Sequence, residues 1–297
     1  MKGIILAGGS GTRMRPMTKA TNKHFLPVYD KPMIYYPLTT LMLAGIKDIL
    51  IICNPDDVSS FEQMLGDGSR WGIKISYKTQ AKANGIAEAF IIAEDFIGGQ
   101  KVALILGDNI FFGHGFGELL HKARKNDGAT VFGFYVKDPS AFGVAKLDST
   151  NSSILDLIEK PTEYVSNYAI PGLYFYGPEV VDIAKKITPS ARGELEITDV
   201  NRAYLSDKKL NFIELRRGFA WFDGGSADSM LDASNYIAMV DRRQGLRIGC
   251  PEEIAFRYKW ITENEFLKLA DELSTSDYGK YLKRIAHIVH KQEETKP

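Results

Sequence analysis

The chain has 297 residues, 44% of them hydrophobic and 25% charged, which is typical of a globular protein with a sizeable core. Its 37 lysines and arginines balance its 37 aspartates and glutamates, so no overall field favours nucleic acid or a membrane surface. Two cysteines far apart in the chain exclude a disulfide scaffold and fit a reducing, cytoplasmic compartment.

The chain begins with a short apolar run, Ile4–Leu6, which predicts a strand buried on both faces of a parallel sheet. This run is too short for a signal peptide and leads directly into glycines. The glycine-rich segment Gly8–Gly11 would let backbone N–H groups approach an anion closely. Thr12 adds a hydroxyl, and Arg13 adds a permanent charge whose shape matches phosphate oxygens. The segment therefore predicts a phosphate-binding loop.

Other phosphate-binding loops fit this segment less well. The spacing of a kinase-type P-loop is absent. A dinucleotide-binding loop would need a third glycine where Met14 stands, and Pro27 and Pro32 flank the acid, Asp30, that would bind its ribose. These features weaken a dehydrogenase interpretation. A turn without a ligand is disfavoured because cations crowd residues 13–23 without matching acids.

Apolar runs alternate with segments of helical periodicity through the first half of the chain. The predicted strands are Ile49–Cys53, Ile73–Tyr77, Val102–Leu106, Thr130–Tyr135 and Leu173–Tyr176, and the predicted helices are Tyr35–Ala44, Val58–Leu65, Ile86–Ala93 and Phe116–Lys125. This alternation predicts an α/β fold with a Rossmann-like, mostly parallel mixed sheet flanked by helices. After Phe222 the pattern is helical, so we expect a core at residues 1–240 and a C-terminal helical extension at 241–297 with a regulatory or interface role.

Two acids follow apolar runs and could share a metal. Asp108 comes two residues after the end of the predicted strand Val102–Leu106, and Asp223 lies between apolar residues and a glycine pair. A carboxylate at the end of a buried strand needs a partner, and Mg²⁺ is held by one or two carboxylates together with phosphate oxygens. The alternative for each is a helix cap or a turn residue.

Gln80 and Gly85 lie in a polar segment before a predicted helix. A glutamine amide presents a donor and an acceptor, which could pair with O4 and N3–H of a pyrimidine, while Gly85 would admit the base closely. The alternative is an ordinary polar loop.

The Gly-Gly-Ser-Gly-Thr-Arg segment, with Pro16, Lys23 and Leu26-Pro27, resembles the signature of the sugar-phosphate nucleotidylyltransferases. The segment Tyr29–Pro37 narrows the resemblance to the bacterial glucose-1-phosphate thymidylyltransferases, and the likeness continues to about Arg257. It implies the nucleotidyltransferase fold, a homotetramer, and Mg²⁺-dependent transfer of dTMP from dTTP to α-D-glucose 1-phosphate. The products would be pyrophosphate and dTDP-glucose, the starting compound for dTDP-L-rhamnose or a related deoxysugar.

The resemblance also implies roles for individual residues. Arg13 and Lys23 would be the catalytic cations, and Asp108 and Asp223 would hold the metal. The nucleotide would be bound by Leu6, Gly8, Gly9, Gly11, Thr12, Arg13, Gln80, Gly85 and Asp108. The sugar phosphate would be bound by Asn109, Gly143, Glu159, Lys160, Tyr174 and Trp221. A second nucleotide-sugar site, where dTDP-L-rhamnose would inhibit, would involve Gly113, His114, Glu252, Ile254 and Arg257.

The residues themselves also allow simpler interpretations. Glu159 and Lys160 could bind sugar hydroxyls and a phosphate, or form a surface ion pair at a turn. Tyr174 could line a sugar pocket or belong to the core. The residues of the second site could equally form a charged helical surface.

The chain departs from the family pattern at several positions, none of which is an expected cation or metal ligand. His24 and Phe25 replace glutamine and leucine, Ala81 and Ala83 replace prolines, Gly224 and Ser226 replace threonines, and Ala227 replaces histidine. We therefore expect the reaction type to be kept, whereas loss of two prolines should loosen the base-binding loop and its choice of thymine over uracil. His24 is expected to be a satisfied histidine beside the site, because the attacking phosphate oxygen is already ionised and needs no base.

Two other functions are compatible with these motifs. One is a related transferase that uses UTP or another hexose 1-phosphate. The other is a catalytically silent sugar-nucleotide sensor, which would have no need of both cations and both acids.

Overall fold

The computed structural model describes residues 1–9, 11–150 and 153–294, and it confirms the predicted α/β class. Its strands are β1 (Lys2–Ala7), β2 (Pro27–Val28), β3 (Lys31–Pro32), β4 (Asp48–Cys53), β5 (Lys74–Thr79), β6 (Val102–Leu106), β7 (Asn109–Phe112), β8 (Ala129–Tyr135), β9 (Gly143–Leu147), β10 (Ile154–Glu159), β11 (Tyr168–Ile170), β12 (Leu173–Tyr176), β13 (Leu210–Leu215) and β14 (Ala220–Asp223). Its helices are α1 (Tyr35–Leu43), α2 (Val58–Leu65), α3 (Glu88–Ile92), α4 (Glu94–Ile97), α5 (Phe116–Lys125), α6 (Val180–Ala184), α7 (Ile197–Ser206), α8 (Ala227–Gln244), α9 (Pro251–Arg257), α10 (Glu263–Glu272) and α11 (Asp277–Glu294).

One large mixed sheet forms the centre of the molecule. Its strand order is β10-β9-β11-β8-β12-β6-β1-β4-β5, and β13 pairs with β8. The strands β6, β1, β4 and β5 are mutually parallel, as are β8 and β13. β12 pairs antiparallel with both β6 and β8, and the pairings that involve β9, β10 and β11 are also antiparallel. The sheet therefore has a parallel half and a largely antiparallel half.

β1 lies inside the parallel half because both of its faces are apolar. Ile4 and Ile5 are fully buried and belong to two different hydrophobic clusters, one on each side of the sheet. Ile5 shares its cluster with Leu38 of α1, whereas Ile4 shares the other with Phe90 of α3. This arrangement explains the apolar run without alternation, since a strand covered on both faces needs no polar side.

The carboxyl ends of β1, β4 and β6 meet at one edge of the sheet. The Gly107 N–H donates to the Leu6 carbonyl oxygen at 2.9 Å, which joins the loop after β6 to the end of β1. The glycine-rich loop, Asn54 and Asp108 therefore all follow neighbouring strands at this edge, where α/β sheets bind their ligands.

A small second sheet brings a distant acid to the same edge. β7 follows directly after Asp108 and pairs antiparallel with β14, with Asn109 opposite Asp223. The Gly224 N–H donates to the Asp108 carbonyl oxygen at 2.8 Å. Asp108 and Asp223 are thus placed together by backbone pairing.

Several short elements differ from the sequence-based prediction. The predicted helix Ile86–Ala93 is shorter in the structure, where α3 covers Glu88–Ile92 and ends because Ala93 leaves helical geometry, and the short helix α4 follows it. The sequence pattern also did not predict some short elements whose partners are distant in the chain, namely β7, β9, β11, β13, β14, α6, α7 and α9. Within the described residues, no helix combines the length and the apolar character needed to cross a bilayer.

The C-terminal helices pack on the core and share its apolar interior. Phe266 of α10 and Leu282 of α11 are fully buried in the same cluster as Trp71. The predicted division at residue 240 falls within α8, so that boundary stays a prediction. Glu252 links the two parts, because its carboxylate accepts from the Trp71 indole at 3.0 Å and from the Tyr278 hydroxyl at 2.7 Å.

We expect Glu252→Ala to lower the free energy of unfolding by about 2 kcal/mol, because it leaves the buried Trp71 indole N–H without an acceptor and removes the carboxylate that accepts from the Tyr278 hydroxyl. Equilibrium denaturation in urea measures this change. Glu272→Ala, at an exposed position at the end of α10, is the control and should change stability by less than about 0.5 kcal/mol. Equal stability of the two variants would contradict the assigned role of Glu252.

Candidate functional site

Two adjoining cavities open at the carboxyl edge of the sheet. The smaller one, of about 200 Å³, is lined by Leu6, Gly8, Gly9, Lys23, His24, Gln80, Ala83, Gly85, Ile86, Leu106, Asp108 and Glu194. The larger one, of about 450 Å³, is lined by Arg13, Ile86, Leu106, Asp108, Asn109, Ala141, Phe142, Gly143, Leu157, Glu159, Lys160, Ile170, Gly172, Tyr174, Ile197, Thr198, Asn201, Trp221 and Asp223. Asp108 lines both cavities, so it marks the junction between them.

The structure groups the predicted site residues in these two cavities. Most of the predicted nucleotide-binding residues line the smaller cavity, and all six predicted sugar-phosphate residues line the larger one. Gly11 and Thr12 line neither cavity. Gly11 instead has a left-handed conformation, with φ at 56°, just before the single turn Thr12–Met14. Thr12 is exposed there.

The glycine-rich loop is held by an amide that the sequence analysis missed. Asn54 Oδ1 accepts from the Gly9 N–H, and Asn54 Nδ2 donates to the Gly9 carbonyl oxygen, both at 3.2 Å. The Gly9 N–H, expected to face a phosphate, is therefore engaged within the protein. The position of Asn54 directly after β4 was the available signal, since that strand ends at the same edge as β1.

A second asparagine connects the same loop to Lys23. Asn22 Nδ2 donates to the Ala7 carbonyl oxygen at 3.2 Å and to Asp57 Oδ2 at 2.6 Å. Asn54 Nδ2 donates to the same Asp57 oxygen at 2.8 Å. The Asn22 side chain also caps the turn that begins at Lys23. The loop and the predicted catalytic lysine thus share one polar support.

Lys23 pairs with Asp108 in this structure. Its ammonium group contacts Asp108 Oδ2, while Asn109 Nδ2 donates to Asp108 Oδ1 at 3.0 Å. Burial alone would raise the pKa of Asp108, but the charge of Lys23 and these hydrogen bonds outweigh it and lower that pKa to about 2. Asp108 is therefore ionised at neutral pH.

The pKa of Asp223 is shifted in the opposite direction to that of Asp108. Burial raises its pKa to about 6, and the negative charge of Asp108 adds to this rise. Arg13 lies beside Asp223, because a Cβ at Gly225 would stand 2.6 Å from an Arg13 guanidinium nitrogen and 3.1 Å from Asp223 Oδ1. A glycine is needed there to let the two side chains approach.

The carboxylate pair fits a divalent cation. Two neighbouring buried acids repel each other, and a bound cation would relieve the repulsion that raises the pKa of Asp223. The described part of the chain contains no group of three or more His, Cys, Asp or Glu arranged to hold a metal. The remaining ligands would therefore be phosphate oxygens and water, as Mg²⁺ prefers.

His24 is a buried, satisfied histidine, as expected. Its Nδ1 lies 2.7 Å from Asn22 Oδ1, and its ring packs against Gly107. Burial lowers the pKa of His24 to about 3, and the nearby charge of Lys23 contributes to the decrease. The imidazole is thus neutral at physiological pH.

The far end of the smaller cavity contains Gln80 and Gly85. Gln80 Nε2 donates to Glu88 Oε2 at 2.7 Å and lies 3.3 Å from the Gly85 carbonyl oxygen. The NH₂ group of Gln80, which was expected to donate a hydrogen bond to a base, therefore donates to Glu88 instead. Gly85 has φ at 110°, and a Cβ there would stand 2.3 Å from the Leu195 carbonyl oxygen, so only glycine fits.

The segment around Leu195 closes over this loop. The Leu195 N–H donates to the Asn84 carbonyl oxygen at 2.7 Å, and the Ala87 N–H donates to the Leu195 carbonyl oxygen at 3.1 Å. The replaced prolines, Ala81 and Ala83, lie in the exposed part of the loop before this bridge.

Glu159 is fixed at the rim of the larger cavity by residues that the sequence analysis missed. The Thr198 hydroxyl donates to Glu159 Oε2 at 2.5 Å, and Arg192 lies 3.5 Å from the other oxygen. A Cβ at Gly143 would stand 3.3 Å from both Glu159 and Thr198, which explains the glycine. Lys160 is exposed beside them, with φ at 43°. No local pattern predicts the contact with Thr198, because α7 follows Glu159 only after two more strands.

Asn109 and Trp221 form the wall of the larger cavity next to the acids. The Trp221 indole N–H donates to Asn109 Oδ1 at 2.7 Å, and the Gly172 N–H donates to the same oxygen at 3.0 Å. The Trp221 ring lies 4.9 Å from the ring of Phe142. Tyr174 is buried at the base of the cavity, where burial raises its pKa.

The remaining departures from the family pattern have simple structural settings. A Cβ at Gly224 would stand 2.8 Å from the Met33 side chain, so glycine suits this packing. Ser226 caps α8, which begins at Ala227, and the ring of Phe25 packs on Phe61 at 4.5 Å.

A third cavity, of about 530 Å³, lies between α1, the end of β7 and α9. Gly113, Ile254 and Arg257, which are three residues of the predicted second site, line it. His114 is exposed and Glu252 is buried, and neither residue lines this cavity. The structure thus assembles only part of the predicted set.

Comparison with known proteins gives consistent matches over most of the chain. A family model described as nucleotidyl transferase matches residues 2–239. A glucose-1-phosphate thymidylyltransferase of Xanthomonas campestris is 52% identical over 96% of this chain and 97% of its own length. The enzyme of that name from Neisseria gonorrhoeae is 51% identical over 98% of this chain and 100% of its own length.

Solved structures agree with these sequence matches. The crystal structure of a glucose-1-phosphate thymidylyltransferase from Bacillus anthracis, in complex with sucrose, is 42% identical and has a TM-score of 0.73 over 80% of this chain and 94% of its own. A UDP-glucose pyrophosphorylase complexed with UDP-glucose is 26% identical, with a TM-score of 0.70 over 82% of this chain and 99% of its own.

We expect the affinity for Mg²⁺ to fall as the pH drops below about 6, because a proton and the cation compete for Asp223. One competing proton predicts a loss of about tenfold one pH unit below that pKa, and almost none one pH unit above it. Calorimetric titration of the nucleotide-free protein with Mg²⁺ measures this dependence, because a triphosphate would itself bind Mg²⁺ and titrate in the same pH range.

Asp223→Asn should abolish this pH dependence, whereas Asp56→Asn, at an exposed position near the same edge, should keep it. Equal affinity of the unaltered protein at about pH 5 and about pH 7.5 would contradict Asp223 as a ligand.

Proposed function

The chain belongs to the nucleotidyl transferase family, and we propose that it transfers the dTMP group of dTTP to α-D-glucose 1-phosphate, forming dTDP-glucose and pyrophosphate. Relatives named for this reaction are about 50% identical to it over nearly the whole chain. The structural observation that carries the proposal is the junction of two cavities at Asp108, with Arg13, Lys23 and Asp223 around it. A nucleotide in one cavity and a sugar phosphate in the other would meet there.

The two cavities suit their proposed ligands. The smaller one has the glycine-rich loop and Lys23 near Asp108 for the phosphates, and Gln80 and Gly85 at its far end for a base. The larger one offers Glu159, Asn109 and Thr198 to sugar hydroxyls, and aromatic faces for the sugar ring. Lys160 at its rim would contact the sugar phosphate as a point charge.

The reaction requires alignment and charge stabilisation more than proton transfer. An oxygen of the sugar phosphate forms a bond to the α-phosphorus, and the bond from that phosphorus to the bridging oxygen breaks with pyrophosphate as the leaving group. The attacking oxygen is already ionised, so no general base is needed, in agreement with a buried His24 whose low pKa makes it a weak base. Arg13 and Lys23 would accept the charge that develops on the leaving pyrophosphate.

We propose Mg²⁺ as the cofactor, held by Asp108 and Asp223. When bound, it would neutralise phosphate charge and favour departure of the pyrophosphate. Lys23 now pairs with Asp108, and with the metal on that carboxylate Lys23 would be free to contact a phosphate.

Two observations favour a related nucleotide substrate as the alternative. The base-binding loop has exposed Ala81 and Ala83 in place of the two prolines typical of the family, and one structural relative is a UDP-glucose pyrophosphorylase. UTP is therefore the first alternative nucleotide to test, together with other hexose 1-phosphates.

Three further proposals concern regulation and context. The cavity lined by Gly113, Ile254 and Arg257 is a candidate second site for dTDP-L-rhamnose as a feedback inhibitor. A homotetramer is proposed from the family resemblance, and a cytoplasmic location from the two cysteines that lie far apart in the chain.

Release of pyrophosphate from dTTP, glucose 1-phosphate and Mg²⁺ tests the proposed function directly. We expect release that depends on all three components. The same assay across dTTP, UTP and several sugar phosphates defines the preferred pair. Binding without pyrophosphate release for every pair would favour the silent sensor instead.

We expect Arg13→Ala to lower kcat by about 10³-fold with a much smaller change in nucleotide affinity, because the guanidinium acts mainly on the transition state. Steady-state kinetics and equilibrium binding of dTTP separate the two effects. Arg15→Ala, which removes an exposed arginine outside both cavities, is the control and should keep near-normal turnover. Near-normal kcat in Arg13→Ala would refute the assignment.

A further inference from the structure

We infer that Glu88 determines which pyrimidines the smaller cavity accepts, by fixing the amide of Gln80 so that only its oxygen faces the base. The cavity would then admit bases with a hydrogen on N3, thymine and uracil, and reject cytosine. This inference rests on the proposed function, since it assigns the base end of the same nucleotide site.

Both hydrogens of the Gln80 amide are directed at acceptors in the protein. Nε2 lies 2.7 Å from Glu88 Oε2 and 3.3 Å from the Gly85 carbonyl oxygen. An amide nitrogen has two hydrogens, so this group has no further donor to offer a ligand. Gln80 is only 7% exposed, which leaves its side chain little room to move.

The chemistry of Glu88 decides which end of the amide faces it. An ionised carboxylate can only accept hydrogen bonds, so the NH₂ end of Gln80 must point toward Glu88. The opposite orientation would place the amide oxygen against the carboxylate oxygens, with like partial charges in contact. The orientation therefore follows from the residue types and their proximity.

A third residue fixes the carboxylate itself. Asn84 Nδ2 donates to Glu88 Oε1 at 2.8 Å, so each Glu88 oxygen has a different amide donor. Glu88 is half-buried at the first turn of α3, and the adjoining loop is tied down by the two backbone bonds to Leu195. The chain Asn84–Glu88–Gln80 thus forms a short, fully directed set of hydrogen bonds.

The Gln80 oxygen is left for the ligand. It lies 3.4 Å from the point where a Cβ on Gly8 would stand, at the wall of the smaller cavity. The described residues donate no hydrogen bond to this oxygen. A base in the cavity would therefore meet an acceptor.

Pyrimidine bases differ at N3, the atom that would face the Gln80 oxygen. N3 of thymine and uracil carries a hydrogen and can donate to Gln80 Oε1, whereas N3 of cytosine is itself an acceptor. A cytosine nucleotide would place two lone pairs against each other in a mostly buried site, and such unpaired polar contacts give strong rejection. This contact does not involve the 5-methyl group, so it does not distinguish thymine from uracil.

The test is a comparison of base selectivity in Glu88→Gln and the unaltered enzyme. Glutamine at residue 88 can turn either its NH₂ or its oxygen toward Gln80, so the Gln80 amide can reverse and offer a donor to N3 of cytosine. We expect the ratio of kcat/KM for dTTP to that for dCTP to fall by at least about tenfold. The ratio for dTTP to dUTP should stay unchanged, because both bases carry the N3 hydrogen.

The control variant is Glu94→Gln, which removes a carboxylate at the first turn of the next helix. Glu94 pairs with Lys185 on the protein surface and does not line the cavity. Both ratios should match those of the unaltered enzyme. Glu88→Ala provides a second route, because it also releases the Gln80 amide and should lower the dTTP to dCTP ratio in the same direction. Since each ratio is taken within one variant, it is independent of the fraction of folded enzyme.

The possible results separate the two proposals. Failure of the unaltered enzyme to release pyrophosphate from dTTP would overturn the proposed function. Turnover of dTTP by the unaltered enzyme, with an unchanged dTTP to dCTP ratio in active Glu88→Gln and Glu88→Ala, would overturn the role of Glu88 alone. A parallel fall in the dTTP to dUTP ratio would also overturn it, because it would indicate a general loosening of the site.

Discussion

The site depends on two carboxylates that the backbone forces into one buried place. Pairing of β7 with β14 sets Asp223 opposite Asn109, and the Gly224 N–H donates to the Asp108 carbonyl oxygen, so the backbone keeps the two acids adjacent. The charge conflict is reduced in two ways, since Lys23 pairs with Asp108 and Asp223 has a raised pKa. Such an arrangement is costly in an empty protein and favourable with a cation. The nearby arginine, lysine and glycines can all be understood as parts of a centre built to gather phosphate oxygens around that cation.

Neutral amides, more than charged groups, set the geometry around this centre. Asn54 holds both backbone groups of Gly9, Asn22 connects that loop to the turn of Lys23, and Asn109 connects Asp108 to Trp221. An amide can donate and accept at once, so it can fix a loop in a defined orientation. It also adds no net charge, so it leaves the attraction between the cations and a triphosphate undisturbed. The positioning groups and the reacting groups are therefore chemically distinct.

The features that the sequence predicted correctly are those determined by neighbouring residues in the chain. The strand before the glycine-rich loop and the position of Asp108 both follow from apolar runs followed by polar or glycine residues. The contacts of Asn54 and Thr198 were not predictable, because each joins elements whose relative placement is decided only by packing of the whole sheet. Glu88 is only eight residues from Gln80, but their contact depends on the conformation of the intervening loop, where Gly85 has a positive φ. The same limit explains Gln80, whose amide was expected to offer a donor that Glu88 takes up in the structure. It also explains His114 and Glu252, which the family resemblance grouped with Gly113, Ile254 and Arg257 although neither lines the cavity that those three residues share.

The backbone bridge at Leu195 has a consequence for how such an enzyme can change its substrates. Leu195 holds the base-binding loop through Asn84 and Ala87, and the same segment continues directly into α7, whose Thr198 fixes Glu159. The base and the sugar of the product would therefore be recognised with the support of one continuous segment of the chain. A mutation that reshapes the loop for a new base would shift the support of the sugar-binding carboxylate as well. Evolution toward a new nucleotide and toward a new sugar would thus be correlated rather than independent.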